Sequence, residues 1–264
     1  MERRAQAGWL WVIIALFARS GVASSPPQEK YLAYNGTAVQ RHSLSFLYEE
    51  HHVLRFAGDR LADRVVLYTC ADGSPFARKT VSYLDPLAPD FLLEDSSNGL
   101  EEGIRSEGAA RSVQFRENRG AEEKKGPLPA IAGLVADAGF DEFIHENWQA
   151  LLHGGSLSPP FLVPSRLKEV DFKVYRLRSD TVAGVPAEVF RLKPAGALSW
   201  IVKPIDVSYG AATHDLLRYA GVSDLRDSSG NNFEVLITFR TRDRTESDAQ
   251  SMSDALRAHL APCR

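Results

Sequence analysis

Cysteine is scarce in this chain of 264 residues, which contains only Cys70 and Cys263. Two cysteines exclude the disulfide-dense scaffolds that are typical of small secreted domains. An oxidising compartment would allow the two to be joined, and closing so long a loop is worth about 4–5 kcal/mol in the chain-entropy model. The alternative is two separate thiols, because Cys263 is the penultimate residue and chain ends often fray. The sequence leaves both states open.

The sequence also lacks an apolar run long enough to span a membrane. The run at residues 9–18 has about ten residues, whereas a membrane-spanning helix needs about 20. The charged start at Arg3-Arg4 and the small residues at 21–25 are typical of a cleavable signal peptide, with a short uncleaved anchor as the alternative. We predict a signal peptide over residues 1–24 and export to the periplasm. Since no cysteine lies near the cleavage point, we expect a soluble mature protein without a transmembrane segment.

An excess of positive charge is missing as well. Lys and Arg total 31 against 34 Asp and Glu, which gives a formal net charge of −3. Nucleic-acid sites need a concentrated positive field, so we expect no nucleic-acid partner. The hydrophobic content of 44% is ordinary for a globular protein and allows a sizeable core. We predict a single β-rich domain over residues 25–264.

Recognisable catalytic and cofactor motifs are absent. The sequence has no Gly-x-Ser-x-Gly elbow, no His-Glu-x-x-His pair and no glycine-rich phosphate loop. His51 and His52 are adjacent on a predicted strand and point to opposite faces, and His145 and His153 are too far apart on a helix to share an ion. The oxygen-rich stretch 224–232 lacks the EF-hand ligand pattern and is typical of a hairpin turn. We expect no metal, no cofactor and no enzymatic activity.

Most of the chain has the composition of β-strands. Asp72-Gly73, between the apolar runs 64–70 and 76–83, predicts a β-hairpin, and turn residues at 95–99 and 227–231 predict two more. The charged stretch 117–126 is expected to be a loop. The predicted strands span residues 43–48, 52–56, 64–70, 76–83, 111–116, 161–163, 170–177, 187–192, 200–209 and 232–239.

Helical spacing of apolar residues appears in two places. In the middle of the chain, residues 131–138 and 143–152 follow a helical period that Gly139 interrupts, which predicts one kinked helix or two short ones. Near the end, residues 248–260 predict a helix with Met252, Leu256 and Leu260 on one stripe. The middle segment is amphipathic, so we expect it to pack against a sheet.

Several predicted strands are apolar on both faces. In the strand 64–70, Val65 and Leu67 face one way, and Val66 and Tyr68 face the other. A sheet with one solvated face would alternate cleanly, and two helical regions are too few to cover about ten strands. We therefore predict a predominantly β (α+β) fold: a curved antiparallel half-barrel with an apolar interior, wrapped around the central helical segment, with a C-terminal helix.

Four stretches of the sequence are distinctive: VLYTCADGSPFARK at 66–79, ADAGFD at 136–141, FLVPSR at 161–166 and RYAGVSDLRD at 218–227. With the strand layout, they resemble an uncharacterised Gram-negative periplasmic family of the LolA/LolB-type lipoprotein-carrier fold. The resemblance covers nearly the whole mature chain. It implies an apolar cavity between sheet and helix that can take acyl chains, and a lipid or lipoprotein as the partner, although a fold alone does not fix a function.

Aromatic side chains are the candidate lining of that cavity. We predict an apolar binding site formed by Phe140, Phe143, Trp148, Phe161, Tyr175 and Phe190. The alternative interpretation of each residue is an ordinary packed core. The favoured hypothesis is a non-enzymatic protein that binds a hydrophobic ligand. The alternatives are an envelope structural or interaction protein with a filled core and, third, a periplasmic enzyme.

Overall fold

The computed structural model describes residues 28–195, 203–227 and 229–263. The predicted signal peptide, residues 1–24, lies outside the described residues. Three α-helices are present in the described part of the chain: α1 Gly139–Glu146, α2 Trp148–Leu152 and α3 Ala249–Arg257. The strands are β1 Glu29–Gln40, β2 Phe46–Ala57, β3 Arg60–Thr69, β4 Pro75–Ser82, β5 Asp90–Asp95, β6 Leu100–Glu107, β7 Ala110–Arg116, β8 Lys124–Pro127, β9 Ser156–Leu157, β10 Pro160–Val163, β11 Lys168–Val182, β12 Val185–Pro194, β13 Ile205–Gly210, β14 Leu216–Arg226, β15 Asn232–Phe239 and β16 Thr245–Ser247.

These strands form one 16-stranded antiparallel sheet. The order across it is β10-β11-β12-β13-β14-β15-β1-β2-β3-β4-β5-β6-β7-β8, with β16 paired to β1 and β9 paired to β11. Most strands that are neighbours in the sheet are consecutive in the chain and form hairpins. The ladder between β15 and β1 joins the two halves of the chain. The sheet curves into an open half-barrel, so the predicted fold class is confirmed.

The two ends of the sheet approach each other without a hydrogen-bonded ladder among the described strands. Leu162 of β10 is buried with Phe91, Ile104 and Val113, which belong to β5, β6 and β7. A Cβ added at Gly126 of β8 would lie 3.4 Å from the side chain of Leu167, which follows β10. Side-chain packing therefore spans the gap that backbone hydrogen bonds leave open.

The predicted hairpin turns are in place. Gly73 has a positive φ of 82°, and Ser74 N donates to Asp72 Oδ1 at 2.9 Å, so the local turn chemistry fixes the connection between β3 and β4. Gly99, with a φ of 84°, plays the same role between β5 and β6. The predicted loop 117–126 differs in one respect, because its last residues begin β8.

The helix prediction is wrong for residues 131–138. Val135 instead forms a β-bridge with Phe161, its N–H donating to Pro160 O at 2.9 Å and its carbonyl accepting from Leu162 N at 2.8 Å. Helix α1 begins only at Gly139, after Asp137 takes a left-handed φ of 45°. Helices α1 and α2 then lie inside the curve of the sheet, where their apolar side chains pack on β11, β12 and β13.

Helix α3 lies on the convex face. Met252 and Ala255 are buried against Val53 of β2 and Val65 of β3, which explains why these strands are apolar on both faces. The predicted stripe is wrong at Leu256, which is 44% exposed, because the helix docks through positions 252 and 255. It ends at Arg257, before Leu260.

The C-terminal segment is fastened to the convex side of β4. Cys70 and Cys263 form a disulfide with a Cα–Cα distance of 5.7 Å. Ala261 N donates to Pro75 O at 3.0 Å, and the Arg78 guanidinium donates to the carbonyl of Leu256 at 2.8 Å. The penultimate residue is therefore held in the fold.

Candidate functional site

A cavity of about 270 Å³ lies between helix α1 and the concave face of the sheet. One of its walls is apolar. Each strand from β11 to β15 contributes to this apolar wall, through Phe172, Leu192, Val207, Leu216 and Ile237 respectively. Alternation along β11, β12, β13 and β15 directs their side chains inwards, whereas the pairing of β14 is irregular.

The opposite wall is polar and charged, which differs from the expected apolar interior. Glu50 and His52 of β2, Arg64 of β3 and Lys79 of β4 all line the cavity. Because these residues have the same strand parity as inward-facing apolar neighbours, the pleat places them on the concave face. Burying charges is costly unless each is paired, so their partners determine what this wall can bind.

Helix α1 supplies the partner of Arg64. Asp141, in the first turn of the helix, accepts hydrogen bonds from both terminal nitrogens of Arg64 at 3.2 Å and from the Tyr209 hydroxyl at 2.7 Å. Burial, with the Asp141 charge beside it, raises the pKa of Tyr209 well above its ordinary value, so the phenol stays protonated and donates. One carboxylate thereby joins β3, α1 and β13.

Lys79 is the centre of a second ionic group. Its ammonium donates to Asp137, just before α1, and to Asp224 of β14 at 2.8 Å. Burial lowers the pKa of Lys79, but the two carboxylates more than offset this effect and the pKa is raised well above its ordinary value. Lys79 is therefore charged, and it bridges the two sides of the half-barrel.

His52 and Glu50 form a third polar pair. His52 Nε2 lies 2.9 Å from Glu50 Oε2, and the imidazole stacks on the ring of Tyr34 with a centroid distance of 4.4 Å. Burial lowers the pKa of His52, and the hydrogen bond and charge of Glu50 offset this only in part. The imidazole is neutral at pH 7, and it donates from Nε2 to the carboxylate.

Glu102 of β6 adds a carboxyl group near the second ionic group. The register aligns it across the sheet with Leu93, Lys79, Val66 and His52. Burial raises the pKa of Glu102 to about 8, with further contributions from the charge of Asp224. This side chain is therefore largely protonated at neutral pH.

The structure divides the six predicted aromatic residues. Phe140 and Phe161 line the cavity, with ring centroids 6.4 Å apart. Phe143, Trp148 and Phe190 lie in the packed cluster between the helices and β11–β13, where Trp148 and Phe190 are in contact at 5.1 Å.

Tyr175 is separate from the other five. It lies opposite Arg191 across β11 and β12, on the convex side, because its neighbour Val174 is the residue that faces the core. The ammonium of Lys173 lies 6.0 Å from the centre of its ring.

A wider cavity of about 610 Å³ adjoins the first. Arg64, Asp141, Tyr209 and Leu216 line both cavities, so the ionic group on α1 forms part of the boundary between them. The rest of its lining is mixed. It includes apolar side chains such as Leu54 and Phe56, the cations Arg60 and Arg244, and the carboxylates Asp59, Glu142 and Asp215.

No group of three or more His, Cys, Asp or Glu side chains in the described ranges is arranged to hold a metal ion. None of the helices described for this chain combines the length and the apolar character that crossing a membrane requires.

Comparison with known proteins gives distant structural similarity. No protein-family model and no curated protein matches the chain. A β-barrel-like DUF1849 protein of unknown function from Brucella abortus is similar with a TM-score of 0.44 and 10% identity, over 85% of this chain and 100% of that one. A putative outer membrane lipoprotein-sorting protein domain from Vibrio parahaemolyticus has a TM-score of 0.30 and 8% identity, over 86% and 89%.

A DUF1329 family protein from Desulfovibrio piger is similar with a TM-score of 0.29 and 10% identity, over 88% of this chain and 90% of that chain. At these scores and identities, we draw no functional conclusion from the three structures.

Proposed function

We propose that this protein is a non-enzymatic carrier or sensor that binds one amphipathic molecule in the cavity between α1 and the sheet. The observation that carries the proposal is the two-sided lining of this cavity. The apolar wall from β11 to β15 would take a hydrocarbon chain or ring, and the polar wall from β2 to β4 would take its head group. Ligand sites commonly combine a mostly apolar lining with a few placed polar groups.

The size of the cavity limits the part of the ligand that it encloses. A dry cavity of about 150 Å³ holds one benzene molecule. By proportion, a cavity of about 270 Å³ holds about eleven non-hydrogen atoms. A single chain of about ten carbons with a small head group fits this space. A longer chain would extend into the adjoining cavity.

The disulfide supports the exported location that the signal peptide predicts. Disulfides persist in oxidising compartments such as the periplasm, and Cys70 is joined to Cys263 in the folded chain. We propose that the protein acts in the periplasm and that its ligand is a lipid or the lipid part of a lipoprotein.

A fluorescent apolar probe tests the proposal. We expect N-phenyl-1-naphthylamine to bind the wild-type protein with increased emission and to be displaced by decanol. Leu216→Trp would fill the space where both cavities meet, so it is expected to reduce probe binding at least tenfold. Leu67→Trp is the matched control, because Leu67 lies on the convex side of β3, and it should leave binding unchanged.

The outcomes separate the alternatives. Absence of probe binding by a folded wild-type protein would contradict the proposal and favour an interaction protein with a filled core. Equal loss of binding in both tryptophan variants would mean that the probe reports instability, and circular dichroism of each variant checks this. Hydrolysis or other turnover of a decyl ester by the wild-type protein, absent from Leu216→Trp, would favour an enzyme.

A further inference from the structure

The charges on the cavity wall do not balance. Among the described residues, six with charged side chains line the 270 Å³ cavity: four are carboxylates, Glu50, Asp137, Asp141 and Asp224, and two are cations, Arg64 and Lys79. A head group that enters this space therefore meets two more negative charges than positive ones.

Both cations are already occupied. The two terminal nitrogens of Arg64 donate to the same oxygen of Asp141, and the ammonium of Lys79 lies between Asp137 and Asp224. An anionic head group could reach either cation only by displacing a carboxylate. Displacement would leave that carboxylate in the interior without its partner, which is strongly unfavourable.

Glu50 is the carboxylate without a cationic partner. Its hydrogen-bond partner is His52, whose side chain is 5% exposed and whose pKa is lowered by burial, so this carboxylate faces a neutral imidazole and not a cation. No ion pair joins Glu50 to a Lys or Arg among the described residues. Asp224 is half exposed, so water screens part of its charge.

From this arrangement we infer that the cavity selects amphipathic ligands with a cationic, amine-type head group and rejects anionic ones. The inference rests on the proposed function, since it names the class of ligand for the same site. An ammonium placed beside Glu50 would form an ion pair with this carboxylate. The hydrocarbon chain of the ligand would then lie on Leu192 and Val207 of the opposite wall. A close pair of opposite charges that is shielded from water supplies about tenfold or more in affinity.

Three ligands of equal chain length test the selection. We expect decylamine to displace N-phenyl-1-naphthylamine from the wild-type protein at pH 7.5 with a Kd at least tenfold lower than that of decanoate. The Kd of decanol should lie between the two. Measurement below the micelle concentration of each compound keeps the comparison to single molecules. Equal or tighter binding of decanoate would overturn the inference.

Substitutions then locate the selection. Glu50→Gln keeps an acceptor for His52 but removes the charge, so we expect the amine-to-carboxylate preference to fall at least threefold. Asp141→Asn frees Arg64 and is expected to increase decanoate affinity. Asp206→Asn is the matched control, because Asp206 forms an equivalent pair with Arg191 on the convex face at 2.6 and 2.8 Å, and it should leave the preference unchanged.

The results distinguish this inference from the proposed function. If none of the three ligands and no apolar probe binds, the proposed function fails. If decanol and decylamine bind but the preference is absent, or if it survives Glu50→Gln in a folded protein, only the charge selection fails. Should Asp141→Asn not fold, the wild-type ligand series and Glu50→Gln decide the outcome.

Discussion

Asp141 should be the residue whose charge contributes most to the stability of the half-barrel. Its carboxylate accepts hydrogen bonds from Arg64 and Tyr209, and the side chains of Arg64 and Asp141 are 10% and 16% exposed. Asp141→Asn leaves a buried guanidinium with a neutral partner. Removing one member of a buried pair costs about 3–5 kcal/mol, and we expect the lower end, about 3 kcal/mol, because the amide retains an acceptor. For a chain of this size, this corresponds to a fall in Tm of about 6–12 °C.

Urea denaturation followed by circular dichroism measures this loss. The triple variant Arg64→Met, Asp141→Leu and Tyr209→Phe removes both charges and the hydroxyl that donates to Asp141, and we expect its free energy of unfolding to lie within about 1 kcal/mol of wild type. Asp206→Asn breaks the more exposed pair with Arg191 and should cost about 1 kcal/mol or less. A loss below 1 kcal/mol for Asp141→Asn, or a triple variant as unstable as the single one, would refute the reasoning.

Three more perturbations report on other parts of the fold. Replacing Cys70 and Cys263 with serine should lower the free energy of unfolding by at most about 5 kcal/mol, because the disulfide joins residues 193 positions apart. Calorimetry with and without reductant measures the effect, and an unchanged unfolding midpoint would mean that no disulfide forms. Because the pKa of Glu102 is raised from 4.5 to about 8, its contribution to stability is present below pH 4.5 and is lost as the pH rises towards 8. Between pH 4.5 and 8, the free energy of unfolding of the wild type should decline by an amount on the order of a few kcal/mol, and Glu102→Gln should remove this decline. Urea titrations at several pH values measure it. Parallel curves of unfolding free energy against pH for the two proteins would contradict the assignment. In Gly139→Ala, the new Cβ would overlap the carbonyl oxygen of Leu87, so we expect a lower Tm in thermal denaturation, and an unchanged Tm would show that the loop adjusts freely.

Local turn chemistry made much of the sheet predictable. Asp72 and Gly73, like the residues around Gly99, specify their turns with short-range hydrogen bonds and positive φ angles, which need no information from distant residues. Strand β14, in contrast, was not predicted as a strand. Its pairing with β15 is irregular between Val222 and Arg226, and its last residues are charged, so the alternation of apolar and polar residues along it is weak.

The segment 131–138 shows where periodicity fails. Its apolar spacing fits a helix, but Gly133 has a positive φ of 72° and Val135 pairs with Phe161 instead. The spacing is satisfied by Leu134 and Ala136, which are buried against the sheet. Tertiary packing used the same apolar residues in an extended conformation, and nothing within the segment distinguishes the two solutions.

The polar wall could not be inferred because its partners are far apart in the chain. Lys79 meets Asp137 across 58 positions and Asp224 across 145. Parity along a strand offers one signal, since His52 shares the face of Leu54, but it does not reveal the carboxylate that neutralises a charge. Parity also places Tyr175 on the face of the sheet opposite Val174. The predicted aromatic site did not take this into account.

Native mass spectrometry of the protein, expressed from the 264-residue chain and purified from cells, tests the central claim most directly. We predict a wild-type species carrying one single-chain amphiphile, released on unfolding and identified by fragmentation, and its absence from Leu216→Trp but not from Leu67→Trp. A wild-type protein that is uniformly free of ligand, and stays so after incubation with decylamine and decanol, would contradict the account.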